Sequence, residues 1–176
     1  MNQLRTLCVM GTFDDETNQE VYKIKEKLKE QGISVDDGYE PHITFGIYTG
    51  VDEESLIRWV GNVSKQHKRI QICFNHFGFF PDARLCFLAP SSSYGLLELH
   101  SVIHEKYDSC CMDKGCLYSL EQKNWTPHMT IALVNQGQEE SVLSILWESF
   151  SPFMAELTRL KITSSDTSDD IGVFEL

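Results

Sequence analysis

The heptapeptide Pro-His-Ile-Thr-Phe-Gly-Ile at Pro41–Ile47 is answered later in the chain by Pro-His-Met-Thr-Ile-Ala-Leu at Pro127–Leu133. In 176 residues with 5 prolines, 6 histidines and 10 threonines, a second Pro-His-x-Thr is expected by chance only about 0.01 times, taking positions as independent. A fold for this chain must therefore place one local structure twice.

The surrounding pattern repeats with the motif. Arg5–Thr12 alternates as a strand, and Asp14–Gln31 then shifts to helical spacing, with Val21, Ile24 and Leu28 on one face and Gly32 as the stop. The first motif strand covers Pro41–Tyr48. Asp52 caps a second helix striped by Leu56, Ile57, Val60 and Val63, and Arg69–Phe80 is β-like and aromatic, ending at Pro81. The order starts again with a strand over Arg84–Ala89 and a helix opened by the serines at 91–93. The second motif strand spans Pro127–Asn135, followed by a helix over Gln138–Phe150 and a strand over Phe153–Thr163. A polar turn, Thr163–Asp170, leads to a last strand at Ile171–Leu176. Residues 1–176 are read as a single domain with an internal repeat, approximately 1–81 and 82–176, without a low-complexity linker. The expected fold is α+β, with two pseudo-symmetric lobes. Each is an antiparallel-rich sheet with helices on its outer face, and the motif strands face a central groove.

Residues two apart on a strand point to the same side. That puts His42, Thr44 and Gly46 on one side and Ile43, Phe45 and Ile47 on the other. In the second copy His128, Thr130 and Ala132 oppose Met129, Ile131 and Leu133. The apolar sides belong against helices. The polar sides present an imidazole, a hydroxyl and then almost no side chain, so Gly46 and Ala132 are expected to line an open groove, with Tyr48 a weaker candidate at the strand end. Two imidazoles titrating near neutrality can serve as one base and one acid. Two hydroxyls can bind the non-bridging oxygens of a phosphate held between them.

At these residues the chain resembles the two-histidine (2H) phosphoesterase superfamily, in its LigT-like or 2′-5′ RNA ligase-like branch. The resemblance is carried by His42-Ile43-Thr44 and His128-Met129-Thr130, by the proline before each histidine, and by Trp125-Thr126-Pro127-His128. It implies His42 and His128 as catalytic acid and base, Thr44 and Thr130 as phosphate-binding residues, and no metal or other cofactor. The activities it implies are hydrolysis of 2′,3′-cyclic phosphates, hydrolysis or formation of 2′-5′ linkages, and action on cyclic ADP-ribose phosphate.

Composition narrows the partners. The formal charge is −11, the wrong sign for gripping a long nucleic acid, where phosphate neutralisation supplies much of the affinity. A small nucleotide or an RNA-terminal phosphodiester is the expected partner, and the chain is expected to be a monomer. No apolar run approaches the ~20 residues of a membrane span. The N-terminal run Met1–Phe13 lacks the pattern of a signal peptide, so a cytoplasmic location is expected. Cys8, Cys73 and Cys86 sit in apolar runs, and Cys110, Cys111 and Cys116 lack zinc-site spacing, so reduced cysteines are expected.

The remaining histidines are assigned to ordinary surface. His67 lies in a polar stretch, and His76 is expected to point to solvent. His100 and His104 have i, i+4 spacing but no Glu in the H-E-x-x-H position, which favours a solvated helix face over a metal site. The lysines and glutamates of Lys23–Glu30 pair along one helix. Phe79 and Phe80 are assigned to the core, although such rings can stack a base. Two rival functions stay open: a non-catalytic nucleotide- or phosphate-binding module on the same scaffold, and an interaction protein with structural histidines.

Overall fold

The computed structural model describes residues 5–91, 93–112, 118–122, 124–165 and 167–176. Cys116 lies outside these residues. Among the described residues, three of the four α-helices begin at a side-chain cap. Asp14 accepts from the Thr17 amide at 2.7 Å ahead of α1 (Asp15–Glu30), and Asp52 from the Ser55 amide at 2.9 Å ahead of α2 (Glu53–Ser64). The Ser93 hydroxyl accepts from the Leu96 amide at 3.4 Å ahead of α3 (Tyr94–His104). Each cap satisfies an amide that the helix itself leaves unpaired. Gly32, at φ +71°, supplies the left-handed residue just beyond α1, and α4 covers Glu139–Ser149.

The strands are β1 (Leu7–Phe13), β2 (Ser34–Val35), β3 (His42–Tyr48), β4 (Ile70–Phe80), β5 (Leu85–Pro90), β6 (Cys111–Met112), β7 (Met129–Leu133), β8 (Phe153–Ser164) and β9 (Asp170–Glu175). The larger elements agree with the sequence expectation within a residue or two at most ends. The second motif strand is shorter than expected, starting after Pro127, which has no amide to give a ladder. The two-residue strands β2 and β6 carry no periodic signal and were not expected.

All strand pairs are antiparallel, in the order β2-β7-β5-β4-β8-β1-β3-β6, with β9 also on β8. The α+β expectation of helices over antiparallel sheet is met, and the two lobes' strands form one continuous sheet. Its centre is the β4–β8 pair, where Ile70 faces Leu157, Ile72 faces Ala155 and Phe74 faces Phe153. Beyond that crossing each long strand enters the lobe of the other half: β8 runs on beside β1, and β4 beside β5. The sheet curls enough for β3 and β7, far apart in strand order, to come into contact across a groove. On the outside α1 packs with α4 and α2 with α3. No helix among the described residues is long and apolar enough to cross a membrane.

Both motif strands break the simple alternation at the same place. On β3 the partner of Val9 is Gly46 but that of Met10 is Thr44. On β7 the partner of Cys86 is Ala132 but that of Phe87 is Thr130. Phe45 and Ile131 are thus the extra residues of two β-bulges. A bulge reverses the faces that follow it. Phe45, Gly46 and Tyr48 are buried while Ile47 turns outward, and Ile131 and Ala132 are buried while Leu133 is 47% exposed. The expectation that Gly46, Ala132 and Tyr48 line the groove is therefore overturned. A Cβ on Gly46 would lie 2.7 Å from the Tyr48 hydroxyl; the glycine makes room for a core tyrosine. Ala132 is fully buried among core residues.

His100 and His104 are also not on a solvated face. They are 4% and 0% exposed, on the inward stripe of α3. His104 Nε2–H donates to the Phe45 carbonyl at 2.8 Å, and its Nδ1 lies 2.8 Å from Asp108 Oδ1. Hydrogen bonds from the Leu120 amide and Ser119 hydroxyl, with the His104 contact, outweigh burial and hold the Asp108 carboxyl below its usual pKa. His100 Nε2–H donates to the Tyr118 carbonyl at 2.8 Å while its ring stacks on Trp125, with centroids 3.9 Å apart. Burial, helped by the charge of His104, lowers the His100 pKa to about 4.

Two stability measurements test this packing. Gly46→Ala should cost roughly 1–3 kcal/mol, as overpacking does, read from the urea midpoint; an unchanged midpoint would restore Gly46 to an open face. His100 is held neutral in the fold but protonates near 6.5 when unfolded, so its stabilisation is complete above pH 6.5 and is lost as pH falls towards 4. Between pH 7 and pH 4 the wild-type chain should lose up to about 3 kcal/mol more than His100→Gln. Equal losses in the two proteins would rule out the neutral buried ring.

Candidate active site

His42 and His128 stand at the starts of the two motif strands, ahead of the bulges, so the alternation still holds there. His42 and Thr44 share a half-exposed face of β3, and His128, 5% exposed, shares its side with half-exposed Thr130. Each imidazole is oriented in the same way. His42 Nδ1–H donates to the Glu40 carbonyl at 2.8 Å, and His128 Nδ1–H to the Thr126 carbonyl at 2.8 Å. A carbonyl can only accept, so Nδ1 carries the proton in both rings and Nε2 is the atom left to exchange one.

Both pKa values lie below the ordinary histidine value. For His42 the main cause is burial, opposed by the Glu40 carbonyl and nearby carboxylates, with Lys25 adding to the fall. For His128 burial again leads, opposed by the Thr126 carbonyl, and positive charge on His42 lowers it further. The two rings therefore feel each other, and a second proton is disfavoured once one is bound. Aromatic walls enforce the desolvation. The Phe80 ring meets His128 edge-on at 4.9 Å and Phe87 at 5.5 Å, while Tyr39 meets His42 at 5.7 Å.

The motif backbones are pinned by residues from the opposite half. Trp125 Nε1–H donates to the Thr44 carbonyl at 3.3 Å, next to the bulge carbonyl held by His104. On the other strand the Asp36 amide donates to the Ile131 carbonyl at 3.3 Å, and the ammonium of buried Lys25 holds the Asp36 carbonyl. The lead-in to the first motif is fixed by ion pairs: Glu40 meets Arg159 at 3.5 Å and also Lys161, which reaches Asp170 at 2.8 Å. Sequence reasoning named His42, His128, Thr44 and Thr130, used Trp125 only as part of the motif's flank, assigned His104 to a solvated face, and missed Glu40 and Arg159. Only Trp125, three residues before His128, had a local signal. No group of three or more His, Cys, Asp or Glu side chains among the described residues is placed to hold a metal ion.

Comparison with known proteins agrees on the scaffold. Solved structures sharing the fold include Escherichia coli LigT complexed with 3′-AMP, at 12% identity, 99% coverage of each chain and a TM-score of 0.67. The same protein complexed with NADP+ gives 12% identity, 99% coverage of each chain and a TM-score of 0.69. The protein TT0787 of Thermus thermophilus gives 12% identity, 97% coverage of each chain and a TM-score of 0.64. A search of curated proteins finds no sequence match. The model of the 2′-5′ RNA ligase superfamily matches residues 13–169, which takes in both motif strands, and the chain belongs to that superfamily.

Proposed function

We propose that the chain is a phosphoesterase that hydrolyses, or reversibly forms, 2′,3′-cyclic phosphate or 2′-5′ phosphodiester bonds in a small nucleotide or at an RNA end. The observation that carries this reading is the matched pair of imidazoles, each with Nδ1 tied to the carbonyl two residues earlier and Nε2 left to exchange a proton. One neutral ring takes a proton from the attacking oxygen while the other, protonated, gives one to the leaving oxygen. Thr44 and Thr130 are assigned to the non-bridging oxygens, whose charge grows in the transition state. Acid, base and donors are all protein groups, so the rate should persist in excess EDTA. The matched bulges and the β4–β8 register support reading 1–81 and 82–176 as two copies of one unit. Other superfamily scaffolds support the ligand class: LigT has been crystallised with 3′-AMP and with phosphate.

The pH dependence tests the reading. Because both imidazole pKa values lie below ~6.5 in the free protein, the singly protonated pair is populated on the acid side of neutrality. The kcat/KM maximum should therefore fall below about pH 6.5 and decline above it. A bound phosphate anion raises both values, so kcat should persist to higher pH. His42→Ala and His128→Ala should each reduce kcat by ~10²–10⁴-fold, and Thr44→Ala or Thr130→Ala should cost about 1.5–3 kcal/mol in kcat/KM. Nucleotide binding that tightens steadily as pH falls, with no product formed, would instead identify a binding module.

A further inference from the structure

Matching places beside the two histidines have opposite chemical character. Next to His42, Thr12 on β1 faces His42 on one side and Arg159 of β8 on the other, and the bulge residue Thr158 precedes Arg159. Next to His128, Ala89 of β5 faces His76 of β4, and the bulge residue Asn75 precedes His76. His76 is thus the counterpart of Arg159, and Trp125, three residues before His128, is the counterpart of Tyr39. A pocket opens at each place. The one beside His42, about 460 Å³, is lined by Tyr39, Glu40, Arg159, Lys161, Asp169 and Asp170. Its ion pairs already satisfy one another, and its carboxylates oppose an anion.

Among the described residues, the lining of the pocket beside His128, about 380 Å³, includes no Asp, Glu, Lys or Arg. Its walls include Trp125, Pro127 and Leu97, which is 46% exposed. Asn75 and His76 supply the polar edge. The Asn75 side-chain carbonyl accepts from His76 Nδ1–H at 2.7 Å, which leaves the Asn75 amide nitrogen as a donor and His76 Nε2 as an acceptor. A slot whose described lining is uncharged, with an aromatic wall and both a donor and an acceptor at its rim, fits a nucleobase. The expectation that His76 points to solvent is met, since it is exposed, and it also lines this pocket.

Resting on the phosphoesterase reading, we propose that the pocket formed by Asn75, His76, Leu97 and Trp125 is the nucleobase subsite. The substrate then lies with its nucleoside on the His128 side, and a small or polar group on the His42 side. The charged pocket presents ion-paired side chains where the other presents an apolar and aromatic wall.

The test compares adenosine 2′,3′-cyclic phosphate with ribose 2′,3′-cyclic phosphate, which has no base. The wild-type chain should prefer the nucleotide in kcat/KM. Asn75→Ala and Leu97→Glu should each cut that preference about three- to tenfold, as expected for one lost hydrogen bond or apolar contact, acting through KM. A preference unchanged in both variants, or an equal loss on both substrates, would overturn the subsite. If the wild-type chain turns over neither compound, the phosphoesterase reading fails, and calorimetry with 3′-AMP against inorganic phosphate decides the subsite. Weaker 3′-AMP binding in both variants with phosphate binding unchanged would uphold it, and unchanged 3′-AMP binding would overturn it.

Discussion

The antiparallel contact between β4 and β8 is self-complementary. With Ile72 opposite Ala155, residues two before and two after on one strand meet residues two after and two before on the other. That register lets each strand continue into the opposite lobe, β8 beside β1 and β4 beside β5. Each half thereby completes its sheet with a strand from the other. Neither motif strand can be positioned by its own half alone, so the groove depends on both halves being folded and in register. Separating them would strip apolar surface and ladder hydrogen bonds together, each costly to leave exposed or unpaired.

The same exchange operates at the level of single carbonyls. A bulge leaves backbone groups that the ladder cannot pair, and in both motifs the partner comes from the opposite half of the chain. Trp125 and His104 serve Thr44 and Phe45, and the Asp36 amide serves Ile131. Trp125 also belongs to the segment that delivers His128. A shift of that segment would therefore disturb the first motif's backbone and the second motif's histidine at once. Fixed backbone carbonyls in turn fix the proton on Nδ1 of each imidazole, so orientation, tautomer and exposure of Nε2 follow from one set of backbone bonds.

The repeat, the capped helices and the His/Thr faces were legible in the sequence because each is a local pattern: a spacing of two, a spacing near 3.6, or a carboxylate or hydroxyl ahead of an apolar stripe. Reading failed where one inserted residue changed the phase. Period-two counting carried from His42 to Tyr48 sends Gly46 to the groove, but the bulge at Phe45 sends it to the core. The motif's recurring small residue therefore records a packing demand of the helix side. His100 and His104 were misjudged for a related reason. A histidine on an apolar helix stripe is buried when acceptors await it, and here they are the Phe45 and Tyr118 carbonyls, distant in sequence. His76 and Arg159 could not be matched without strand registers, because their likeness lies in following a bulge and not in residue type.

On the proposed phosphoesterase reading, near-symmetry in the backbone with asymmetry in the side chains would let one groove distinguish the two ends of a substrate. The parts assigned to the phosphate, His42 with Thr44 and His128 with Thr130, would then keep the same residue types because a phosphate presents equivalent non-bridging oxygens to both sides. The flanking positions are released from that demand and have diverged: Tyr39 against Trp125, Arg159 against His76, Glu40 against Thr126. One lead-in is held by ion pairs and the other by an indole hydrogen bond and ring stacking. The ion pairs are partly buried, so salt screens them less than surface pairs but more than it weakens stacking, which makes the His42 side the more responsive of the two to ionic strength. The asymmetry thus reaches beyond which group fits each pocket to how firmly each histidine is held.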